Sequence, residues 1–152
     1  MFNTESVKDF QKFYDELGHH FEPHYQSCEE YRAKTQKMHI DIDMFQKLID
    51  VGCANFFILK EDKDIIGYIN LSISPSPLFK EPQAVIDFLY ILPEQRSKGY
   101  TKKAIKELEK GLKENGVSVL NIMLPDKEYA EPVSAGLGYS KTSTVYTKVL
   151  GE

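Results

Sequence analysis

A glycine and a group of basic side chains lie where an apolar stretch passes into a helical pattern, in "ILPEQRSKGYTKKAIKELEKGL", residues 91–112. Pro93 ends the apolar stretch, and Arg96, Lys98 and Gly99 follow before the helical spacing begins. The first N–H groups of a helix have no intrahelical partner, and the helix dipole adds positive charge there. Glycine lets a ligand approach this backbone without meeting a Cβ atom. The junction therefore predicts a phosphate or diphosphate site, and a tight turn with solvated lysines is the alternative.

Two common phosphate-binding motifs are absent from the sequence. No G-x-x-x-x-G-K-[ST] occurs, which argues against a P-loop. No G-x-G-x-x-G follows the first predicted strand, which argues against a dinucleotide-binding unit. Neither of these nucleotide-binding folds therefore explains the junction.

The strands around this junction can be predicted from the spacing of apolar residues. The segments "NFFILK" and "IIGYINLSI" predict a β-hairpin around the polar turn "EDKD". The segment "AVIDFLYIL" is almost wholly apolar, which predicts a central strand. The helix after Gly99 separates it from "VSVLNIML", and this order implies a right-handed crossover and a parallel pair.

The remaining segments complete a fold of mixed type. Three helices are expected before the hairpin: one ending at Gly18, one from Pro23 to about Lys37, and one at "DMFQKLIDVG". After the parallel pair, "YAEPVSAGLGY" predicts a short helix and "STVYTKVL" a final strand. We therefore expect one domain over residues 1–152, of the α/β (α+β) class, with a mixed central sheet and helices on both faces.

Composition restricts the class of protein further. The chain has 152 residues, which favours one domain, and its apolar runs are far shorter than the roughly 20 residues of a membrane span. Two cysteines are too few for a disulfide scaffold, and no secretory signal is visible, so a cytoplasmic location is expected. The net charge of −4 gives no reason to expect nucleic acid as a partner.

The order of these parts resembles the GNAT superfamily of acetyl-CoA-dependent N-acyltransferases. The family signature, [R/Q]-x-x-G-x-[G/A] at a strand-to-helix junction, stands here as "RSKGYT", residues 96–101. Its wider form, V-x-P-x-x-R-G-x-G-x-G, is matched by "ILPEQRSKGYT", and the later G-[FY] pair by Gly138 and Tyr139. The resemblance covers about residues 55–150, and the part before Arg96 is also similar to GNAT proteins of phages and prophages.

The resemblance implies that acetyl-CoA is the cosubstrate. Its diphosphate would lie on the amides that open the helix, and its pantetheine arm along the exposed edge of the preceding strand. The cofactor-binding residues expected on this basis are Leu89, Tyr90, Ile91, Arg96, Ser97, Lys98, Gly99, Tyr100 and Thr101. A main-chain N–H of that strand would stabilise the oxyanion. Thr101 stands where the family has glycine or alanine, and its hydroxyl can donate to a phosphate.

An amine nucleophile must lose a proton, which requires a base or a water relay. Asp87 is the carboxylate inside "AVIDFLYIL", and burial there should raise its pKa. The alternative is a structural Asp satisfied by a backbone or arginine partner. The family's usual acid, a Tyr four residues before the G-[FY] glycine, is replaced by Ser134. Tyr129, Ser134 and Tyr146 therefore compete as the acid, although an aromatic residue at the position of Tyr146 is more often part of the core.

A metal site is not expected. His24, Cys28 and Arg32 share a helical stripe, but a fourth zinc ligand is not evident in the sequence. A role for this stripe in lining the acceptor pocket agrees better with the resemblance, which places the N-terminal helices there.

The sequence thus predicts an enzyme that transfers an acetyl group from acetyl-CoA to a primary amine of a small molecule or a protein. No membrane partner is expected, and a homodimer is compatible with the sequence. Two alternatives stay open. One is a catalytically weak or inactive GNAT-fold module that acts through CoA or protein binding, which Ser134 favours. The other is an acyltransferase that uses a longer acyl-CoA.

Overall fold

The computed structural model describes residues 1–28, 34, 36–125 and 127–150. The chain forms two compact units. The first comprises Met1–Glu16 and Asp41–Met123, and the second comprises Leu17–Ile40 and Leu124–Glu152. The expectation of one domain stays a prediction.

A five-stranded mixed sheet forms the centre of the first unit, in the order β1-β2-β3-β4-β5. The strands are β1 (Phe2–Ser6), β2 (Ala54–Glu61), β3 (Asp64–Ser74), β4 (Gln83–Ile91) and β5 (Val119–Ile122). Neighbouring strands are antiparallel except β4 and β5, which are parallel. The predicted hairpin and the predicted parallel pair are therefore confirmed, and β4 lies between two neighbours as expected.

Helices cover both faces of this sheet. The helices of the described residues are α1 (Phe10–Leu17), α2 (Phe21–Cys28), α3 (Ile42–Asp50), α4 (Tyr100–Glu114) and α5 (Ala130–Gly136). The register of β1 and β2 places Phe2 and Phe57 on one face, so Phe56 points to the other. Phe2 stacks on Tyr100 of α4 with ring centroids 6.1 Å apart, whereas the ring of Phe56 lies 5.4 Å from that of Phe45 in α3. The predicted arrangement of a mixed central sheet with helices on both faces is confirmed.

The core of the first unit has an aromatic and an aliphatic part. On the α1 and α3 face, the ring of Phe10 lies 5.1 Å from that of Phe56, and Phe13 meets Tyr68 edge-on at 5.7 Å. On the other face, α4 buries the four residues whose spacing predicted it: Ala104, Ile105, Leu108 and Leu112. Each buried Leu or Ile side chain contributes roughly 1.5–3 kcal/mol, so these contacts fix α4 against the sheet.

Two elements differ from the sequence-based expectations. β1 is unexpected, because "FNTES" has little apolar character and is held by backbone pairing along β2. The predicted final strand, "STVYTKVL", is wrong: residues 139–150 have no regular secondary structure. Alternating apolar spacing favours a strand only where a neighbouring backbone pairs with it, and among the described residues this segment pairs with no strand.

The second unit contains α2 and α5. Pro23 lies in the first turn of α2, as expected, and α2 ends at Cys28, while residues 29–33 and 35 of the longer predicted helix lie outside the described residues. The short helix predicted near Pro132 is confirmed as α5. None of the described helices is long and apolar enough to cross a membrane.

Candidate functional site

The loop between β4 and α4 has an unusual backbone. After a 3₁₀ turn over Pro93–Gln95, Ser97 and Gly99 both adopt left-handed conformations, with φ of 62° and 77°. Gly99 is the N-cap of α4, and a Cβ atom added to it would meet nothing within 4 Å. The loop therefore leaves open space on the side of the backbone where a ligand can approach.

The N–H groups of this loop are available for hydrogen bonding. The amides of residues 97–101 find no acceptor among the described residues, and the N-cap provides no side-chain bond. The first backbone bond of the helix comes from Lys103, whose N–H donates to the carbonyl of Gly99 at 3.2 Å. Successive free N–H groups around left-handed residues form a concave anion site at the positive end of a helix dipole. The diphosphate site expected at this loop stays a prediction.

Arg96 lies differently from its expected place beside a diphosphate. Its Nε donates to the carbonyl of Ile91 at 3.1 Å, and its guanidinium carbon lies 5.4 Å from the ring centroid of Tyr90. Lys98 is also exposed, and its Nζ donates to the side-chain oxygen of Gln95 at 2.9 Å. Arg96 therefore connects the loop to the end of β4 in this structure.

β4 and β5 separate beyond the middle of β4. Their pairing runs from Gln83↔Val119 to Ile86↔Ile122, with one more contact of 3.4 Å from the N–H of Met123 to the carbonyl of Ile86. From Asp87 onward, β4 pairs with β3 and with no other described strand. One edge of β4 is therefore open, which is the condition that the expected binding of a pantetheine arm requires.

The direction of the backbone groups along this open edge can be assigned. The N–H of Leu92 donates to the carbonyl of Ile66 on β3 at 2.9 Å, so this N–H group points towards β3, whereas the carbonyl of Leu92 accepts from Gln95. Because these groups alternate along an antiparallel strand, those of Tyr90 also point to β3, and those of Leu89 and Ile91 point away from it. The carbonyl of Ile91 is bonded to Arg96, which leaves Leu89 with backbone groups directed to the open edge.

Asp87 is the extra residue of a β-bulge. Asn70 pairs with Phe88 and Leu71 with Ile86, so the register shift leaves Asp87 without a direct partner on β3. Its side chain is half-buried, and this burial raises the pKa of the carboxyl, while a hydrogen bond with the Ser72 hydroxyl acts in the opposite direction. Bulges redirect side chains and are common beside active sites.

Ser134, Tyr129 and Tyr146 lie in the second unit. Ser134 is in α5, and its Oγ donates to the carbonyl of Glu131 at 3.0 Å, one turn earlier in the helix. Tyr129 is the N-cap of α5 and is 52% exposed. Tyr146 is 91% exposed, so the alternative interpretation of this residue as core is wrong.

The histidine and cysteine of α2 do not form a metal site with other described residues. His24 is buried and Cys28 is exposed, while Arg32 lies outside the described residues. Within the described ranges, no group of three or more His, Cys, Asp or Glu side chains is placed to hold a metal ion.

Ser72 and Asn70 are polar residues of this region that the sequence did not single out. Both lie within "IIGYINLSI", a predicted strand. A small polar side chain inside such a strand does not by itself indicate a functional role. The bulge in β4 brings Asp87 towards them, and nothing in the order of residues announces a bulge at that position. A polar residue in an otherwise apolar buried strand was the available signal.

Comparison with known proteins identifies relatives of this chain. The family described as "Acetyltransferase (GNAT) family" matches residues 10–138. The UPF0039 protein C11D3.02c of Schizosaccharomyces pombe (strain 972 / ATCC 24843) is 24% identical over 98 residues, which are 64% of this chain and 62% of that protein. The match thus spans less than two thirds of that relative.

Solved structures of low sequence identity share the fold. An aminoglycoside acetyltransferase from an uncultured soil metagenomic sample, in complex with sisomicin, superposes with a TM-score of 0.73 at 15% identity, covering 99% of this chain and 97% of that one. A ribosomal-protein-alanine N-acetyltransferase from Brucella melitensis biovar Abortus 2308 gives a TM-score of 0.67 at 17% identity, covering 98% and 99%. At these identities the likeness concerns the fold alone.

Proposed function

Because this chain belongs to the GNAT family of acetyltransferases, we propose that it transfers an acetyl group from acetyl-CoA to a primary amine. The observation that carries the proposal is the set of free amides at residues 97–101, next to a strand edge that is open from Asp87 onward. Together they offer a place for a diphosphate and for the extended chain attached to it.

The residues of the β4–α4 loop would hold the diphosphate. The amides of Ser97 to Thr101 find no acceptor among the described residues, and a Cβ atom at Gly99 would meet nothing within 4 Å. Lys98 and Lys102 are exposed cations that add attraction for the anion. Arg96 would shape the loop through Ile91 in this proposal.

The open edge of β4 would orient the acyl group. Bound acetyl-CoA supplies an activated acetyl thioester. Leu89 is the residue to which we assign the N–H that donates to the acyl carbonyl, because its backbone groups point away from β3. Tyr90 would contribute its ring, stacked at 5.4 Å on Tyr68, rather than its backbone.

Asp87 would act as the base. An amine enters as an ammonium at neutral pH and must release a proton before its nitrogen can form the new C–N bond. A carboxyl whose pKa is raised by burial accepts that proton more readily than an exposed one. When the C–S bond breaks, the sulfur takes a proton, and Tyr129, Ser134 and Tyr146 are the side chains we propose for testing as its donor.

The acceptor belongs to the class of primary amines. The fold relatives named above are described as acting on aminoglycosides and on the alanine of a ribosomal protein, both of which are amines. The alternative function, a non-catalytic module that binds CoA or a protein, is favoured by Ser134, whose hydroxyl is bonded within α5.

Thermal unfolding with acetyl-CoA tests the binding step. A ligand that binds the folded state stabilises it by about 2.7 kcal/mol at 100 times its Kd, so the unfolding temperature should rise. Desulfo-CoA lacks the thiol and dephospho-CoA lacks the 3′-phosphate, but both retain the diphosphate, so both should still raise the unfolding temperature. An unchanged unfolding temperature at millimolar acetyl-CoA would contradict the proposal.

Thiol release tests the transfer step. We expect release of free CoA with at least one member of a panel that includes sisomicin, other aminoglycosides and peptides with a free N-terminal alanine. Asp87→Asn should lower turnover more than it weakens acetyl-CoA binding. Binding without thiol release from any of these amines would support the non-catalytic alternative.

A further inference from the structure

Asn70 is a buried polar residue to which the proposed function assigns no part. Its side chain is 4% exposed, and its Oδ1 accepts no hydrogen bond from any described residue. A buried amide oxygen without a donor costs roughly 1–3 kcal/mol. A leucine of similar size would avoid that cost, so the position requires an explanation beyond packing.

The register of the sheet places Asn70 beside the bulge that contains Asp87. Asn70 on β3 pairs with Phe88 on β4, and the next residue of β3, Leu71, pairs with Ile86. One residue of β4 is therefore skipped between these two pairs. The skipped residue is Asp87, which forms the β-bulge. Asn70 and Ser72 share one face of β3. The Ser72 hydroxyl lies close enough to Asp87 to lower the pKa of its carboxyl, against the larger effect of burial. The register therefore places the polar side chains of Asn70 and Ser72 on β3 beside the bulge that contains Asp87.

The surroundings of these three side chains are aromatic. Phe56 on β2 is the direct cross-strand partner of Asn70 on β3. Its ring packs against that of Phe13 of α1, with centroids 5.3 Å apart. Tyr68 on β3 and Tyr90 on β4 share the face of Asn70, and Tyr14 of α1 stacks on Phe10 with ring centroids 6.3 Å apart. No charged side chain of a described residue in α1, α3, β3 or β5 contributes to the pKa of Asp87, on which burial and Ser72 act. Asn70 and Ser72 are therefore the polar side chains of β3 beside Asp87, and no charged group of these elements acts on its carboxyl.

We propose that Asn70 is a positioning residue for Asp87, whose Oδ1 orients the water molecule through which the acceptor amine passes its proton to that carboxylate. The inference rests on the proposed function. Such a water donates one hydrogen to Oδ1 of Asn70 and the other to the carboxylate, and its lone pair remains free for the ammonium. The ammonium gives a proton to the water, the water gives its own proton to Asp87, and the amine nitrogen is left neutral and nucleophilic.

The amide oxygen suits this task because it only accepts. A group that could also donate would hold the water in more than one orientation, whereas Oδ1 fixes one hydrogen of the water. The water also stabilises the ionised carboxylate, in the same sense as the Ser72 hydroxyl. Loss of the water should therefore raise the pKa of Asp87 further.

Asn70→Leu tests the inference through the dependence of kcat/KM on pH. We expect kcat/KM for the amine to fall by roughly 100-fold, the lower end of the range for general acid–base catalysis. The acid limb of the profile should move to higher pH, the KM for acetyl-CoA should stay unchanged, and the unfolding temperature should not fall. Asn55→Leu is the matched control. It makes the same change on the opposite face of the sheet, where Asn55 donates to the carbonyl of Gly52 at 3.2 Å, and it should leave the profile in place.

A purely structural Asn70 gives the opposite result. A higher unfolding temperature in Asn70→Leu, with wild-type kcat/KM and an unmoved acid limb, would overturn the inference. If Asn70→Leu does not fold, Asn70→Ala lacks the same oxygen, and a wild-type profile in that variant would overturn it as well.

A second readout separates this inference from the proposed function. If no amine gives turnover, the proposed transfer fails, and the carboxyl of Asp87 can be titrated by ¹³C NMR, with Asp87→Asn identifying its signal. Asn70→Leu should raise the pKa of Asp87 in that titration. An unchanged titration midpoint would reject the role of Asn70 whatever the outcome for catalysis.

Discussion

The Nε of Arg96 donates a hydrogen bond to the backbone carbonyl of Ile91 at 3.1 Å, across the turn that joins β4 to α4. Ile91 is the last residue of β4, and its carbonyl points to the open edge of the strand. The guanidinium also lies over the ring of Tyr90. The arginine of the family signature therefore sets the path of the loop from the strand, and this role needs no ligand.

Arg96→Met should lower the free energy of unfolding of the ligand-free protein by about 1 kcal/mol. Methionine retains the aliphatic part of the side chain but loses the donor to Ile91, and a typical hydrogen bond contributes about that amount. Urea unfolding without ligand measures the change. Lys98→Met, at an exposed neighbour in the same loop, should change stability by less than about 0.5 kcal/mol. An Arg96 variant of wild-type stability that loses acetyl-CoA affinity would instead indicate direct contact with the diphosphate.

Gly99→Ala should lower the stability of the fold and, in addition, weaken the binding of acetyl-CoA. The left-handed φ of 77° costs a non-glycine residue roughly 1–2 kcal/mol, although the added Cβ meets no atom of the protein within 4 Å. Gly52→Ala is the matched control, because Gly52 has a φ of 75° and equally open surroundings at the end of α3. Both variants should lose similar stability, and Gly99→Ala alone should raise the Kd in isothermal titration. Equal Kd values would place the diphosphate elsewhere.

Gly67→Ala should destabilise the fold by more than about 2 kcal/mol. A Cβ atom at Gly67 would overlap the carbonyl oxygen of Tyr90 and lie 3.0 Å from the Cα of Ile91, so β3 and β4 would have to separate. Gly111→Ala in α4 should do the reverse. Its Cβ has open space, and replacing a helical glycine by alanine stabilises by roughly 0.5–1 kcal/mol. Chemical denaturation of both variants measures the two effects, and a tolerated Gly67→Ala would contradict the close approach of the strands.

The sequence was informative where a local pattern determines the structure. The glycine after Arg96 and the helical spacing of Ile105 and Leu108 marked the β4–α4 junction, because helix starts and amphipathic faces follow from neighbouring residues. The same pattern predicted the parallel pair of β4 and β5. These features identified the loop at which the candidate site is built.

Features that depend on distant residues were not predictable in the same way. β1 has mostly polar residues after Phe2 and is paired along β2, and the bulge at Asp87 arises from the register of two strands. The hydrogen bond from Arg96 to Ile91 depends on how the loop turns back on its strand. The segment 143–150 has strand-like spacing without a strand beside it among the described residues. Spacing along the chain reports the faces of an element but not its partners.

Asp87→Asn should stabilise the protein increasingly as the pH rises. Burial raises the pKa of Asp87 above its ordinary value of 3.8, so between 3.8 and the raised value the folded state binds more protons than the unfolded state. Stability then falls with rising pH across that window, and the loss persists above it. Asparagine does not titrate, so its advantage over aspartate should be absent below pH 3.8, grow through the window and become constant above it. Urea unfolding from pH 3 to pH 8 measures this difference, and Asp64→Asn, at an exposed aspartate, controls for the removal of one negative charge. A wild type that gains stability over Asp87→Asn as the pH rises would show that Ser72 and its neighbours outweigh burial, and Asp87 would then be a structural carboxylate and a poor base.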